Sequence, residues 1–380
     1  MADQPWGARF GNFGASLAAV GYEGAARPLS QSVRLMLCDG RLPLPGHDGG
    51  PLMEGTMTFE LVAIDLGKQS FHFHGVSSDG EVVSRKVARA KLFELINELA
   101  PATIAMEACP GAHYWGRRFQ KAGHQVRLIH PRFVKPFVRG AKNDAVDAQA
   151  IYDAASRPTM RFVPVKTLAQ QDLQALHRVR ERLVCQRTAL INQTRGLLAE
   201  YGIVLPKGPA KLVAEGPGAA AAAPLSELAR GLFASLFEQL QDLETRVEVL
   251  DARLVAICRD DPASHRLATL PGVGPVIATA LVASVNDGRQ FRNGRELAAW
   301  IGLVPRQHST GGKTRLGGIG RQANHYLRRQ MIHGARSVAF RTVGRDDARS
   351  RWVQELIARR GFNRAVVALP TRRRGPPGRY

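Results

Sequence analysis

The sequence has few cysteines for its length and contains no long apolar run. Only four of its 380 residues are cysteine, and they lie far apart, at Cys38, Cys109, Cys185 and Cys258. This spacing argues against a disulfide framework or a cysteine-based zinc site and indicates a reducing, cytoplasmic compartment. No uninterrupted run of about 18 apolar residues occurs, which excludes a membrane-spanning helix. The first six residues lack the basic and apolar regions of a secretory signal, so we expect none.

Acidic residues are also scarce relative to basic ones. The chain carries 53 lysines and arginines against 32 aspartates and glutamates, a formal net charge of +21. Such an excess predicts a polyanionic partner, most simply nucleic acid, although a basic surface that only keeps the protein soluble is the alternative. The length predicts two or three domains, and the 44% hydrophobic content is sufficient for a real core.

Residues 1–56 differ in composition from the rest of the chain. They are rich in glycine, proline and serine and show weak periodicity. A strand-like run, FELVAID, begins at Phe59, just after Met57. We therefore expect residues 1–56 to be a disordered or wrongly assigned extension, with translation starting naturally at Met57.

Residues 57–160 have the pattern of an α/β domain. Three strands are predicted first, followed by helix, strand, helix, strand and helix. The predicted spans are 59–65, 71–76, 82–87, 91–99, 102–107, 112–122, 125–129 and 143–155. An antiparallel meander followed by crossover connections predicts a mixed sheet covered by helices, which is the ribonuclease-H-like order.

The middle of the chain is predicted to be helical. One helix is expected over 166–203, with leucines every seven positions, and another over 225–258. Between them, 207–224 has the composition of a Gly/Ala/Pro linker. The region 166–260 is therefore expected to form either an antiparallel helical pair within the chain or a coiled coil between chains. Residues 265–345 are expected to form a compact, mostly helical C-terminal domain, and 346–380 a C-terminal helix and a disordered tail.

Four carboxylates stand where an α/β domain collects functional groups. Asp65 and Glu107 end predicted strands, and strand ends face a crevice. Asp144 and Asp147 lie three residues apart near the start of a predicted helix and project from one face. Converging carboxylates need cations, and Mg²⁺ prefers such oxygen ligands and can clamp a phosphoryl transfer. Taken singly, Asp144 could be only a helix N-cap and Asp147 a solvated first-turn acid.

The segment before the aspartate pair combines cations with aromatic residues. Phe133 and Phe137 are interleaved with the basic candidates Arg127, His130, Arg132, Lys135, Arg139 and Lys142. Such a mixture suits a groove that follows a nucleic-acid backbone, and we select Arg132, Lys135, Arg139 and Lys142 as contacts. A solvated helix face is the alternative interpretation.

Residues 267–285, LATLPGVGPVIATALVASV, read as a helix-hairpin-helix motif. Gly272 and Gly274 can take positive φ, and the amides that begin the second helix can hold a phosphate. The pattern predicts sequence-independent DNA contact, and an ordinary tight helical turn is the alternative.

Residues 304–325 place hydroxyl groups in a glycine loop. The stretch Ser309-Thr310-Gly311-Gly312 is flanked by the cations Arg306, Lys313, Arg315 and Arg321. A hydroxyl beside cations could hold a phosphate or attack one as a nucleophile. The same stretch is equally typical of an ordinary polar loop.

These motifs follow one another in a single order: VAIDLGK, AMEACPG, KNDAVDAQAI, LPGVGPVIA and PRQHSTGGKTRLG. Over residues 57–365 the combination resembles the DEDD transposases of the IS110 insertion-sequence family, above all its IS1111 subgroup. The resemblance implies a RuvC-like nuclease domain with Asp65, Glu107, Asp144 and Asp147 as a Mg²⁺-binding tetrad. It also implies a C-terminal transposase domain in which Ser309 forms a covalent phosphoserine link to DNA.

The same resemblance implies further partners. Family members recombine donor and target DNA under the guidance of a structured RNA, as dimers or tetramers, in the bacterial cytoplasm at the nucleoid. Two stretches depart from the family's pattern: residues 1–56, and PTRRRGPPGRY where the family continues in a further helix. The second departure is typical of a frameshift or truncation in a decaying element, and it bears on whether this copy is active.

Three other functions fit part of the sequence. A junction-resolving or repair nuclease would use the same tetrad with water as the nucleophile. A non-catalytic DNA-binding protein would need only the helix-hairpin-helix. An actin-like ATPase is suggested by VAIDLGK, but its later glycine-rich phosphate motifs are missing from the sequence.

Overall fold

A computed structural model describes residues 58–140, 143–285, 288–320 and 323–371. The expected extension at 1–56 lies outside the described residues, as does the tail beyond Thr371. Lys142 and Arg321, two of the predicted nucleic-acid contacts, also lie outside them.

The N-terminal part of the described chain is built on a six-stranded mixed sheet of order β3-β2-β1-β4-β5-β6. Its strands are β1 Phe59–Leu66, β2 Ser70–Ser77, β3 Val82–Ala88, β4 Thr103–Glu107, β5 Gln125–Ile129 and β6 Phe162–Val163. The first three form an antiparallel meander, β4 and β5 run parallel to β1, and β6 is antiparallel to β5. The predicted mixed sheet is confirmed, and its order is consistent with a ribonuclease-H-like domain. The two-residue strand β6 was not predicted, because so short a segment shows no alternation.

Helices cover both faces of this sheet. They are α1 Leu92–Glu98, α2 Ala112–Lys121, α3 Pro131–Val134 and α4 Asp144–Ala155. On one face, Trp115 and Phe119 of α2 are buried, and the Trp115 ring lies 5.3 Å from that of Phe71 on β2. On the other face, α4 buries Ile151 against the small side chains Ala63 and Ala105. Because these side chains are small, α4 can pack close to the sheet.

Two long antiparallel helices follow, α5 Leu168–Glu200 and α7 Glu227–Asp260. Arg180 of α5 forms an ion pair with Asp251 of α7, and Arg187 pairs with Glu244. As the residue number rises along α5, it falls along α7, so the two helices run in opposite directions. Of the two arrangements expected from the sequence, the described chain forms the pair within one molecule.

The linker prediction for 207–224 is wrong, because helix α6 occupies Pro209–Ala222. Proline and glycine suggested a loop, but Pro209 stands in the first turn, where its missing N–H costs nothing. Leu212, Gly216 and Ala220 recur every four residues and are buried, and Leu212 and Ala220 share one cluster with residues of α5 and α7. Packing of this face thus keeps the segment helical even though Pro217 lies inside it.

The C-terminal part contains α8 Pro262–Ala268, α9 Pro275–Val285, α10 Gly294–Ile301, β7 Pro305–Thr310, β8 Lys313–Ile319, α11 His325–Phe340, α12 Ala348–Arg360 and α13 Phe362–Ala368. The apolar helix α9 packs against α5, α7, α8 and α11. A boundary at residue 345 is not supported, because Ala335 and Ala339 share a buried cluster with Val353 and Val366. Two helices, rather than one, follow that position. Among the described helices, none combines the length and the apolarity that a bilayer crossing requires.

Candidate functional site

Asp65 and Glu107 lie side by side at one edge of the sheet. In the parallel pairing of β1 with β4, Ala63 is opposite Ala105. Asp65 and Glu107 each follow by two residues, so both side chains leave the sheet on the face that α4 covers. The two carboxylates predicted from separate motifs are therefore brought together by the register of the sheet.

Helix α4 brings the aspartate pair to the same edge. Asn143 is its N-cap, with Oδ1 accepting a hydrogen bond from the Ala145 N–H at 3.0 Å. The alternative interpretation of Asp144 as the N-cap is therefore wrong, and Asp144 and Asp147 are both first-turn residues. Asp147 is half-buried, whereas Asp144 is exposed.

The electrostatics of this edge show that the carboxylates influence one another. Burial raises the pKa of Glu107, and the neighbouring carboxylates Asp65 and Asp147 raise it further. Burial, with the charges of Glu107 and Asp65, raises the pKa of the Cys109 thiol to about 11. Three of the four predicted carboxylates thus form one region of negative potential, which a cation would stabilise.

His72 lies at this edge as well, and the sequence interpretation assigned it no role. It is directly opposite Asp65 in the antiparallel pairing of β1 with β2, and its Nε2 lies 3.0 Å from Ser84 Oγ. Burial lowers the pKa of His72, while the nearby Asp144 acts in the opposite direction. Because His72 is opposite Asp65, this effect also places Asp144, the fourth predicted carboxylate, near the other three. The short β1–β2 connection sets this pairing, and only the cross-strand register could have revealed it.

The donors at this edge are of the type that a hard cation prefers, since they are carboxylate oxygens on two strands and a helix. Within the described ranges, no group of three or more His, Cys, Asp or Glu side chains is placed so that it could hold a metal ion. Mg²⁺ is ordinarily bound by one or two carboxylates together with waters and phosphate oxygens.

The cations of the basic segment are exposed, whereas its two aromatic residues are partly buried. Arg132 and Lys135 are exposed on α3 and the helical turn after it, and Arg139 follows, also exposed. Phe133 and Phe137 instead pack against the cluster between α4 and the sheet. Both rings are partly buried there, and Cζ of Arg132 lies 4.4 Å from the centroid of the Phe133 ring. The three cations face solvent, and their contact with a nucleic-acid backbone stays a prediction.

The turn between α8 and α9 packs on α11. Gly272 has a φ of +81°, as predicted, but Gly274 is not among the glycines with positive φ. A Cβ on Gly272 would lie 2.9 Å from the carbonyl oxygen of Gly334, in α11. The turn therefore needs glycine at 272, while Gly274 is exposed with nothing within 4 Å of its Cβ position.

Ser309 lies in a strand, so the loop prediction is wrong. β7 and β8 form an antiparallel hairpin whose turn is Gly311-Gly312, with φ of 54° and 75°. Two successive positive φ angles are typical of the tight turns that match the twist of a hairpin. Every residue of both strands is exposed.

The pairing of the hairpin separates Ser309 from two predicted neighbours. Ser309 is opposite Thr314, and Gln307 Nε2 on the same face donates a hydrogen bond of 2.8 Å to Ser309 Oγ. Lys313 is opposite Thr310 and Arg315 is opposite His308, so both cations belong to the other face. The hairpin therefore carries a hydroxyl face and a cationic face.

Comparison with known proteins adds independent findings. A family model described as "Transposase", for the DEDD transposases of IS110, matches residues 62–203, and one described as "Transposase IS116/IS110/IS902 family" matches residues 264–351. A Pseudomonas aeruginosa protein named "Probable family 20 transposase" is 49% identical over 317 residues, covering 82% of this chain and 94% of that protein. The transposase for insertion sequence element IS1111A of Coxiella burnetii is 42% identical over 313 residues, covering 82% of this chain and 86% of that protein. The transposase for IS1328 of Yersinia enterocolitica is 39% identical over 312 residues, covering 81% and 92%.

Proposed function

The chain belongs to the IS110/IS116/IS902 family of insertion-sequence transposases, and on that premise we propose that it cuts and rejoins DNA by Mg²⁺-dependent phosphoryl transfer. The observation that carries the proposal is the region of negative potential at one sheet edge, where Asp65 and Asp147 raise the pKa of Glu107. Carboxylates that destabilise one another in this way are poorly suited to a purely structural role.

In the proposed site, Asp65, Glu107, Asp144 and Asp147 hold the divalent cation that the family implies. Bound there, Mg²⁺ supplies Lewis-acid stabilisation of the charge on phosphate oxygens. Asp65 and Glu107 are fixed by the sheet, whereas α4 positions the aspartate pair through the Asn143 cap. His72 lies opposite Asp65 on the neighbouring strand, and the charge of Asp144 acts on it.

Ser309 is the proposed nucleophile. Its Oγ loses the hydroxyl proton and attacks the phosphorus, so that an Oγ–P bond forms and the bond from phosphorus to the departing deoxyribose oxygen breaks. The departing oxygen takes up one proton, which balances the proton lost by the serine. Gln307 Nε2 donates to Ser309 Oγ and orients it. The exposed hairpin gives a duplex direct access to this hydroxyl.

Several groups are proposed to hold the nucleic acid without reading its sequence. They are Arg132, Lys135, Arg139, Gly272, Gly274, Lys313 and Arg315, together with Lys142 and Arg321 outside the described residues. Phosphate contacts of this kind position a duplex and leave specificity to other contacts. The family resemblance supports a structured guide RNA for that specificity and a dimer or tetramer as the working form.

The deciding experiment follows covalent protein–DNA adducts by denaturing electrophoresis. Wild-type protein, Mg²⁺, labelled element-end DNA and the RNA transcribed from the element's flank are combined. We expect an adduct that Ser309→Ala and Asp147→Asn both abolish, while Thr310→Ala, one residue away, retains it.

Two other outcomes would replace the proposal. Strand cleavage that persists in Ser309→Ala but is lost in Asp147→Asn would indicate a nuclease that uses water. DNA binding without cleavage, unchanged in both variants, would indicate a non-catalytic DNA-binding protein.

A further inference from the structure

A small pocket lies on the face of the sheet opposite the carboxylates, between α1 and α2. Its volume is about 260 Å³. It is lined by Arg89, Phe93, Glu94, Tyr114, Trp115 and Arg118. Trp115 is buried and forms the floor, whereas Tyr114, as a whole residue, is 45% exposed at the rim. None of these residues belongs to the site described above.

The planar guanidinium group of Arg118 is fixed within this pocket by contacts with two aromatic side chains. Its Cζ lies 3.8 Å from the centroid of the Phe93 ring, which is a stacking distance. Its Nη1 donates a hydrogen bond of 3.2 Å to the Tyr114 hydroxyl, which fixes the two side chains relative to each other. Arg118 therefore presents one planar face that is already supported by an aromatic ring beneath it.

A second guanidinium shares the same floor. The Cζ of Arg89 lies 5.6 Å from the Trp115 ring centroid, and that of Arg118 lies 5.4 Å from it. Arg89 donates to the carbonyl oxygen of Lys68 at 3.2 Å. Among the described ion pairs, neither arginine has a carboxylate partner. The lining also contains one carboxylate, Glu94, which is not among their ion-pair partners. Two cations against one carboxylate leave the lining with a net positive charge, which favours an anionic ligand.

We propose that this pocket binds one nucleotide of a single-stranded nucleic acid. The base stacks on the planar surface of Tyr114 and Arg118, and its phosphate pairs with Arg89. Exposed aromatic rings and arginine planes are the groups on which unpaired bases stack, and cations beside them hold the backbone. A base inside a duplex cannot enter such a pocket, because its faces are covered by its neighbours.

The pocket and the proposed catalytic carboxylates lie on opposite faces of the sheet. It opens on the α1–α2 face, whereas the four carboxylates lie on the α4 face. The strand bound there is therefore held rather than cut. The proposal depends on the pocket alone, and it remains valid if the chemistry proposed for Ser309 fails.

Photo-crosslinking of the full-length protein tests this site. Twelve-nucleotide strands that carry 5-bromouracil are used as single-stranded DNA, as RNA of the same sequence and as duplex DNA, and adducts are mapped by mass spectrometry. We expect a crosslink at Tyr114 with a single strand and none with the duplex. The DNA and RNA arms show which of the two is preferred.

Variants then measure the contribution of each group by the yield of that crosslinked peptide and by fluorescence anisotropy. Stacking on one aromatic ring contributes at least about a fivefold change in affinity. We expect such a loss in Arg118→Ala, and also in Arg118→Lys, which keeps the charge but not the plane. Tyr114→Phe should retain the crosslink, and Glu94→Gln should bind as tightly or more tightly.

The matched control is Arg157→Ala, since Arg157 is an exposed arginine that lies over Phe137, at 5.7 Å, outside the pocket. It should leave the Tyr114 crosslink unchanged, as should Asp147→Asn. Crosslinks that map elsewhere, or an Arg118→Lys variant that folds and binds like the wild type, would overturn the proposal. Weaker binding in Glu94→Gln would instead indicate a cationic protein partner and would equally overturn it.

Discussion

Gly272 and Gly334 approach each other so closely that a Cβ at position 334 would lie 1.9 Å from the carbonyl oxygen of Gly272. This contact fixes the turn between α8 and α9 against the middle of α11. No side chain fits between the two backbones, so the contact requires glycine at position 334.

Gly334→Ala should therefore lower the stability of the C-terminal part. The added methyl group must displace backbone, which costs about 1–3 kcal/mol. Chemical denaturation would measure the loss. The control is Gly196→Ala in α5, where nothing lies within 4 Å of the Cβ position and a gain of about 0.5–1 kcal/mol is expected. Equal stability of the two variants would contradict the close contact.

A second pair of alanine substitutions tests whether residues 209–222 are helical. Gly218 has nothing within 4 Å of its Cβ position, so Gly218→Ala should stabilise the helix by about 0.5–1 kcal/mol. At Gly216 the new Cβ would meet Cε1 of Phe237 at 2.6 Å, so Gly216→Ala should lose this gain or destabilise. A flexible linker would instead give two variants that do not differ in urea unfolding.

Divalent cations should raise the melting temperature of the protein. Because Asp65 and Asp147 destabilise the charged form of Glu107, a bound cation relieves repulsion that exists only in the folded chain. At ten times its dissociation constant, Mg²⁺ would add about 1.4 kcal/mol. Differential scanning fluorimetry should show the rise in wild-type protein and in Asp79→Asn, a substitution in the exposed β2–β3 turn. Asp147→Asn should lose the response, and a full response in that variant would exclude Asp147 as a ligand.

Substitutions on the two faces of the β7–β8 hairpin should have different effects. One face should change the affinity for DNA, and the other should change the rate of adduct formation. Arg315→Ala on the cationic face should weaken DNA binding, and the slope of log affinity against log salt should become shallower by about 0.9 for each phosphate that is no longer neutralised. At saturating DNA, its rate of adduct formation should equal that of the wild type. Gln307→Ala should instead slow adduct formation at unchanged affinity. If Arg315→Ala proved slow at saturation, the two faces would not act separately.

The free energy of unfolding should decrease as the pH falls, because of His177. This residue of α5 forms hydrogen bonds to side chains on two other helices, α9 and α11. Its Nδ1 lies 2.9 Å from Tyr326 Oη and its Nε2 lies 3.1 Å from Thr279 Oγ1. Burial first, and then the charge of Arg180, lowers the pKa of His177 from 6.5 to about 4. Because the unfolded chain takes up the proton at higher pH than the folded chain, this contribution is complete above pH 6.5 and is lost as pH falls towards 4.

Urea unfolding at several pH values measures this effect. We expect a loss on the order of 1–3 kcal/mol between neutral pH and pH 4 from His177 alone. His177→Gln, which cannot titrate, should be less stable at neutral pH and should show a smaller slope across the same range. Parallel curves for the two proteins would assign the acid sensitivity to other groups.

The strands of the N-terminal sheet and the helix that carries the aspartate pair could be predicted from the sequence because their signals are local. Alternating apolar residues mark β2, and an uninterrupted helical pattern over 143–155 marks α4. The positions of Asp65 and Glu107 at strand ends follow from the same local pattern. What the pattern could not supply is the register that places His72 beside Asp65, since that depends on how two strands align.

The wrong predictions share one cause, which is that composition does not reveal tertiary contacts. Gly216 looked like a linker residue, yet its missing side chain lets α6 approach Phe237 of α7. Ser309 looked like a loop residue because the polar strands around it bury neither face, so no apolar alternation marks them.

Because β7 and β8 are exposed, the hairpin should tolerate substitutions in its sequence. Replacing a residue of β7 or β8 leaves the core intact, because every side chain there is already in solvent. Surface changes of this kind usually shift stability by less than about 0.5 kcal/mol. The β7–β8 hairpin can therefore accept changes in sequence while the six-stranded sheet and its helices stay fixed, so that the contacts this hairpin makes can be altered without endangering the fold.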